Sequence, residues 1–190
     1  MRHEVARAIF EVVCGDDMTC DVSVEEGSPT EPDTELMAVT SSTHNLLRAE
    51  RPALNAVSHL SGIATATRAG GAAVANTDAS VRDTRKTTPG LRGLEKYAVR
   101  VGGGLNHRMN LADAALVKDN HVEALGGVDE AFRAVRRAFP EIPIEVEVDT
   151  LEQLDVAIDA GADLILLDNF AVEEMADHPL TLVVGVARGP

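Results

Sequence analysis

Residues 81–109, VRDTRKTTPGLRGLEKYAVRVGGGLNHRM, concentrate positive charge in a chain that is otherwise acidic. This basic segment holds only two acidic residues, Asp83 and Glu95. Its basic residues are Arg82, Arg85, Lys86, Arg92, Lys96, Arg100 and Arg108. Planar guanidinium groups bind carboxylates and phosphates through paired hydrogen bonds. The segment therefore predicts a pocket for a specific small anion.

Further candidate residues lie where strands are predicted to end. The strand-end residues are Arg85, Lys86, Lys118, Glu147 and Asp168. In parallel α/β folds, ligands bind beyond the carboxyl ends of the strands. His107 and Arg108 are expected near these positive groups, while Glu147 and Asp168 are suited to holding ribose hydroxyls or a Mg²⁺ carried by phosphates. A site of this kind would take a polyanion together with its metal.

The helix predicted over residues 91–100 carries part of the positive charge of the basic segment. We expect its basic residues, Arg92, Lys96 and Arg100, to form a solvated face and not part of the pocket. Lysine and arginine side chains are mostly exposed in folded proteins.

The charge of the whole chain excludes some classes of partner. Lys and Arg total 17 against 31 Asp and Glu, for a formal net charge of -14. Such a field repels nucleic acids and anionic membranes. No apolar run approaches the ~20 residues of a bilayer-spanning helix, and we expect a cytoplasmic protein. We expect Cys14 and Cys20 to be free thiols.

The elements that would position these residues are clearest between residues 142 and 169. IPIEVEVD (142–149) alternates as a strand, and ADLILLDN (162–169) is a continuous apolar run. Between them, Thr150 and Gln153 fit a capping box, and Gly161 fits a left-handed helix end. This order of strand, helix and strand is a βαβ unit, which implies a parallel sheet.

Similar units precede and follow it. LADAALVKDN (111–120) precedes a predicted helix, GVDEAFRAVRRAF (127–139), and TLVVGVA (181–187) predicts one more strand. SVRDTRK (80–86) is interpreted as a strand end that leads into the helix LRGLEKYAVRV (91–101). Successive strand–helix units favour an α/β fold, either a barrel or an open doubly wound sheet.

The first part of the chain predicts a helix over residues 4–13, followed by short strands and turns over residues 20–40. Ser41 and Ser42 are suited to capping a helix, and the sequence after them is helical for much of residues 43–69. Pro52 marks either a helix start or a kink within this helix.

Several segments together resemble the quinolinate phosphoribosyltransferase family. They occur in the family's order and spacing, across roughly the middle two-thirds of the chain. The segments are ERPALNAVSHLSGIATAT (50–67), DTRKTTPGLRGLEKYAVRVGGGLNHRMNL (83–111), LVKDNH (116–121), IEVEVDTLEQ (144–153) and LLDN (166–169).

The resemblance implies an incomplete α/β (TIM-like) barrel with a partial N-terminal α/β sandwich domain. It predicts the sandwich part over residues 1–48 and the barrel over residues 49–190, in a chain truncated at both ends relative to the family. The implied reaction is carboxylating phosphoribosyl transfer in NAD biosynthesis. Quinolinate and phosphoribosyl pyrophosphate give nicotinate mononucleotide, pyrophosphate and CO₂, with Mg²⁺, in a homodimer or higher homo-oligomer.

The resemblance also implies roles for individual residues. Arg51 resembles the arginine given to the site of the neighbouring subunit. The pocket for the two carboxylates of quinolinate corresponds to Thr84, Arg85, Lys86, His107 and Arg108. Lys118 resembles the lysine near the reacting centre that also meets phosphate. Glu147 and Asp168 resemble the acids that hold the ribose and, indirectly, the metal.

Two alternatives stay open. One is a related nicotinate-type phosphoribosyltransferase, although the density of carboxylate-binding groups favours a dicarboxylate substrate. The other is an inactive fragment that binds anions or pairs with a full-length subunit, since residues 171–190 lack the Ser/Gly-Gly turns that hold the ribose 5-phosphate in the family.

Overall fold

The computed structural model describes residues 3–77, 79–170 and 183–187, the last of these as backbone. The chain divides into two compact units, Met1–His107 and Arg108–Pro190. Among the described residues, none of the helices combines the length and the apolarity needed to cross a bilayer.

The first unit begins with two helices packed on a small antiparallel sheet. The elements are α1 (His3–Cys14), β1 (Met18–Val22), β2 (Met37–Ser41) and α2 (Thr43–Ala73). Strands β1 and β2 pair with Met18 opposite Ser41. The predicted first helix is confirmed, and both strands fall at the edges of the region that the sequence assigned to strands and turns.

Helix α2 begins as the sequence predicted. The side chain of Ser42 accepts a hydrogen bond from the backbone N–H of Asn45, at 3.4 Å, and so caps the first turn. Pro52 lies inside the helix and not at its start. Cys14 and Cys20 are both free thiols, as expected.

Helix α3 (Arg92–Val101) completes the first unit and packs on α2. Residues 80–86 do not form the strand end that the sequence predicted. Instead, Arg82 makes an isolated parallel bridge to Leu105. The N–H of Leu105 donates to Val81 O at 2.8 Å, and the N–H of Asp83 donates to Leu105 O at 3.2 Å. These two bonds bring Asp83 to the start of the NHRM motif.

Gly102, at the end of α3, lies directly against α2. A Cβ atom there would stand 2.5 Å from the carbonyl oxygen of Ala64 and 2.7 Å from Cβ of Thr67. Gly102→Ala is therefore expected to lower the free energy of unfolding by about 1–3 kcal/mol. Urea unfolding monitored by circular dichroism measures the change.

Gly93→Ala is the matched control for this substitution. A Cβ at Gly93 meets no atom within 4 Å, and alanine is the better helix former, so the control is expected to raise stability by up to about 1 kcal/mol. Equal effects of the two substitutions would contradict the close-packing argument.

The second unit is a parallel sheet in which helices connect β3 to β4 and β4 to β5. Its elements are β3 (Ala115–Val117), α4 (Asp119–Leu125), α5 (Val128–Ala138), β4 (Ile144–Val148), α6 (Leu151–Asp159), β5 (Leu164–Asp168) and β6 (Val183–Ala187). Within the described residues the strand order is β3-β4-β5-β6, and every pairing is parallel. This confirms the α/β class and the additional strand predicted near the end of the chain.

The predicted N-cap and the left-handed helix end of the βαβ unit are confirmed, but the capping box is incomplete, because the Gln153 side chain binds the N–H of Asp149 and not that of Thr150. Thr150 accepts from the N–H of Gln153 at 3.2 Å, and Gln153 Oε1 in turn accepts from the N–H of Asp149 at 2.8 Å. Gly161 has φ +79°, and the last turn of α6 closes through Gly161 N–H to Ile158 O and Ala162 N–H to Ala157 O. This is a Schellman-type helix end.

One face of the sheet forms the core of the second unit. Val117, Val146, Val148, Ile165 and Leu167 are all at most 3% exposed. They pack against apolar residues of α5 and α6, including Phe132 and Leu154. Because side chains alternate along a strand, the intervening residues lie on the opposite face of the sheet.

Candidate functional site

The loop that carries the TRK motif is held from α3. Arg92 donates from Nε to Thr87 Oγ1 at 3.1 Å and from a terminal nitrogen to Arg85 O at 3.3 Å. Glu95 accepts from the backbone N–H of Thr88 at 3.2 Å. Within the loop, the Thr84 hydroxyl accepts from the backbone N–H of Lys86 at 3.0 Å. The backbone that presents Arg85 and Lys86 is therefore fixed at several points.

Both acidic residues of the basic segment are already engaged. Asp83 pairs with Lys96, and Glu95 contacts Nε2 of His59 at 2.8 Å. Among the described residues, no acidic side chain pairs with Arg85 or Lys86, and Nε of Arg85 is buried without a hydrogen-bond partner. Buried polar groups are normally hydrogen-bonded, so this guanidinium group is suited to an anionic ligand.

Glu95 is stabilised as a carboxylate. Burial alone would raise the pKa of this carboxyl group, but hydrogen bonds from Thr88 and His59 offset burial and lower the pKa below its usual value. Glu95 therefore stays charged as an anchor for the loop.

The expectation that the basic residues of α3 form a solvated face is wrong for Lys96. Its side chain is 1% exposed. Arg92 is half-buried against the loop, while Arg100 is exposed as expected. Lys96 is buried because Asp83 pairs with it, which removes most of the cost of burying an isolated charge.

Asp83 and Lys96 together hold the NHRM motif. Asp83 Oδ1 accepts from the backbone N–H of His107 at 2.8 Å, and Lys96 Nζ donates to His107 O at 3.0 Å. With its amide in the orientation that satisfies its neighbours, Asn106 donates to Asp83 Oδ2 at 3.1 Å and to Lys96 O at 2.9 Å. Both polar groups of the His107 backbone, the N–H and the carbonyl oxygen, are therefore hydrogen-bonded.

Sequence reasoning missed this role of Lys96, although a signal exists. Ala98 and Val99 are buried, and the residues three positions earlier on the same helical face are Glu95 and Lys96. The apolar stripe of α3 therefore continues over two charged residues, which is typical of paired buried charges.

Arg51 is the remaining predicted residue of the first unit. It lies exposed on α2, one residue before Pro52. The first unit thus contains Arg51, Thr84, Arg85, Lys86 and His107. The second unit contains Arg108, Lys118, Glu147 and Asp168.

Lys118 and Glu147 form an ion pair at the carboxyl ends of β3 and β4. Lys118 Nζ lies 2.7 Å from Glu147 Oε2. The Lys118 side chain is 43% exposed, and that of Glu147 is 11% exposed. The backbone N–H of Lys118 donates to Nδ1 of His121 at 2.9 Å, which fixes the start of α4.

Strand register places Asp168 on the same face of the sheet. Val117 is opposite Val146, so Lys118 is the neighbour of Glu147, and Glu147 is opposite Leu166. Asp168 follows Leu166 by two residues and therefore has the same orientation. Lys118, Glu147 and Asp168 share the face turned away from α5 and α6. Arg108 is held separately, donating to Ala114 O at 3.0 Å.

The two units thus offer different chemistry. The first presents uncompensated positive charge on a rigid loop, which is suited to carboxylates. The second presents one cation and two carboxylates at the ends of three parallel strands, an arrangement suited to a hydroxyl-rich, phosphorylated ligand.

Comparison with known proteins gives matches along most of the chain. The model of the quinolinate phosphoribosyl transferase C-terminal domain matches residues 63–182, and the model of the N-terminal domain of that enzyme matches residues 3–61. The carboxylating nicotinate-nucleotide pyrophosphorylase of Mycobacterium leprae is 54% identical over 170 residues, which cover 89% of this chain and 60% of the relative. The human protein of that name is 45% identical over 172 residues, which cover 88% of this chain and 57% of the human protein.

Solved structures also align with this chain. NadC from Streptococcus pyogenes aligns with a TM-score of 0.84 and 36% identity, over 97% of this chain and 74% of that one. The nicotinate-nucleotide pyrophosphorylase from Francisella tularensis gives a TM-score of 0.87 and 32% identity, over 96% of this chain and 66% of that one. The chain spans about 60% of the length of the Mycobacterium leprae relative.

Proposed function

Because the chain belongs to the quinolinate phosphoribosyl transferase family, we propose that it carries out carboxylating phosphoribosyl transfer in NAD biosynthesis. The substrates are quinolinate and phosphoribosyl pyrophosphate. The products are nicotinate mononucleotide, pyrophosphate and CO₂. The names of the relatives from Mycobacterium leprae and human support this reaction.

The observation that carries the proposal is the state of Arg85. Its Nε is buried without a hydrogen-bond partner, while the only two acids of the basic segment are engaged by Lys96 and by His59. The charge of Arg85 is therefore available to a ligand, in a protein whose net charge of -14 repels anions in general. We assign Thr84, Arg85, Lys86, His107 and Arg108 to the two carboxylates of quinolinate.

Lys118, Glu147 and Asp168 serve the transfer step. The bond between ribose and pyrophosphate breaks, the pyrophosphate leaves with the electron pair, and the ring nitrogen of quinolinate forms the new bond to the ribose. The ribosyl centre becomes cationic in the transition state, and nearby carboxylates stabilise it. Lys118, with its exposed ammonium group, offsets negative charge on the phosphates.

Loss of CO₂ follows. The carbon–carbon bond to the carboxylate next to the ring nitrogen breaks, and its electron pair stays on the ring carbon, which then takes up a proton. We assign stabilisation of the carbanion to the positive charge of Lys118 or of the arginines.

Glu147 and Asp168 also fit the Mg²⁺ that accompanies phosphoribosyl pyrophosphate. Carboxylate oxygens are the ligands that Mg²⁺ prefers, and one or two carboxylates together with substrate phosphates are its usual set. When bound, the ion neutralises charge on the leaving pyrophosphate.

The assembly is a homodimer or a higher homo-oligomer in which Arg51 is given to the site of the neighbouring subunit. The exposed position of Arg51 on α2 supports this arrangement. We place the protein in the cytoplasm, since both of its cysteines are free thiols, which is typical of a reducing compartment.

The direct test is formation of nicotinate mononucleotide by the purified 190-residue chain supplied with quinolinate, phosphoribosyl pyrophosphate and Mg²⁺, with folding checked by circular dichroism. Product formed from quinolinate and not from nicotinate supports the proposal. Turnover of nicotinate alone would favour a nicotinate-type enzyme. A folded chain without either activity would favour the inactive fragment.

Arg85→Ala tests the assignment of the carboxylate pocket. Hydrogen bonds to charged groups contribute about 1.5–3 kcal/mol each, so the affinity for quinolinate is expected to fall about 10- to 100-fold, with helix and strand content unchanged. Isothermal titration calorimetry with quinolinate measures the loss. Unchanged affinity would overturn the assignment of Arg85.

A further inference from the structure

The ion pair between Lys96 and Asp83 is deeply buried. The Lys96 side chain is 1% exposed and that of Asp83 is 7% exposed. Such a pair gives little net stability, because removing two charges from water offsets most of their attraction. The contacts of the pair therefore indicate a role beyond stability.

Both members of the pair bind the same residue. Asp83 accepts from the backbone N–H of His107 at 2.8 Å, and Lys96 donates to the carbonyl oxygen of His107 at 3.0 Å. An apolar replacement would fill the space but leave both backbone groups without partners. The pair thus fixes the two polar groups of one peptide segment, and with them the direction in which the His107 side chain leaves the backbone.

The neighbouring anchors act on a different segment. Arg92 and Glu95, on the same helix, hold residues 85–88. Helix α3 therefore holds two stretches of the basic segment through separate side chains. Changes at Lys96 are expected to disturb His107 while leaving the loop of Arg85 in place.

We propose that Lys96 is a positioning residue for the carboxylate pocket, which it orders through its ion pair with Asp83 by fixing the backbone of His107. This inference rests on the proposed function for its effect on catalysis, but its structural part stands separately. A misplacement of about 1 Å in a binding group costs about 100-fold in rate. The pair therefore controls the use of quinolinate without touching it.

The test compares Lys96→Met with the matched control Arg100→Met, which removes one exposed positive charge from the same helix. We expect Lys96→Met to raise the KM for quinolinate about 10- to 100-fold, to leave the KM for phosphoribosyl pyrophosphate within about twofold, and to speed amide hydrogen exchange at residues 105–107 but not at residues 85–88. Arg100→Met is expected to match the parent chain in all three measurements.

A second variant keeps the test decisive if Lys96→Met does not fold. The double variant Asp83→Asn with Lys96→Gln is neutral, so it leaves no unpaired buried charge. It keeps polar groups near His107 and is expected to have an intermediate KM for quinolinate. An unchanged quinolinate KM and unchanged exchange in either folded variant would overturn the proposal.

The hydrogen-exchange measurement also separates the two proposals. If the parent chain does not turn over quinolinate, the proposed function fails. Faster exchange at residues 105–107 in Lys96→Met would then still support the positioning role, and unchanged exchange would reject it.

Discussion

Lys118→Met is expected to lower kcat about 100- to 1000-fold, the usual effect of removing one group that stabilises charge in a transition state. Lys118 Nζ lies 2.7 Å from Glu147 Oε2, yet its side chain remains 43% exposed and accessible to a ligand. Methionine keeps the length of the side chain but removes the charge. Glu147 then loses the cation that pairs with it, and in the proposed reaction the phosphates and the decarboxylated ring lose a stabilising positive charge. Steady-state kinetics with quinolinate varied, together with circular dichroism, measures the effect.

The matched control is Arg133→Met. Arg133 also pairs with a carboxylate, that of Asp129, but its side chain is 63% exposed on α5, outside the proposed site. Exposed pairs of this kind contribute about 0–1 kcal/mol to stability, and kcat is expected to stay within about twofold. A Lys118→Met chain that kept a third or more of the turnover would contradict the role of Lys118 in the chemical step.

Mixing inactive Arg51→Ala and Lys118→Met chains is expected to restore activity. If each site uses Lys118 of its own subunit and Arg51 of its neighbour, a mixed dimer has one site with both residues intact. Random exchange in an equal mixture makes half of the dimers mixed, so about a quarter of the sites are complete. Activity should therefore rise from near zero to about a quarter of the parent value.

The control for this experiment is verified exchange of subunits. The two variant chains carry different tags, and their co-purification before the assay shows that mixed oligomers have formed. A mixture of the parent chain with the Lys118→Met chain provides the reference activity. Mixed oligomers without recovered activity would show that Arg51 acts within its own subunit.

The second unit was largely predictable because its signals are local. Alternation in IPIEVEVD, the cap at Thr150 and the left-handed Gly161 each depend on a few neighbouring residues, and each was confirmed. Three candidate residues at the ends of β3, β4 and β5 follow from the same pattern. Family resemblance then supplied the roles that local pattern cannot give.

The surroundings of the basic segment were harder to predict because they depend on distant pairs. Lys96 is buried only because it forms an ion pair with Asp83, thirteen residues away in the sequence. From composition alone, a lysine on a helix is expected to be exposed to solvent. The strand predicted at residues 80–86 is replaced by a single bridge to Leu105, since its partner lies beyond a helix and not in an adjacent strand. The bridge leaves no periodic trace in the sequence, and the helical spacing of Lys96 indicates its burial without identifying Asp83 as its partner.

The shared face of Lys118, Glu147 and Asp168 has a consequence for how this protein tolerates insertions and deletions. Each of these residues is positioned by a different strand. The turns between the strands and helices can therefore change length without moving the three side chains. A shift of one residue within β4 would instead bring Val148 to the site and turn Glu147 toward Leu154 and the other apolar residues of the core. Length variation should therefore be confined to the turns, while the strands keep a fixed residue count.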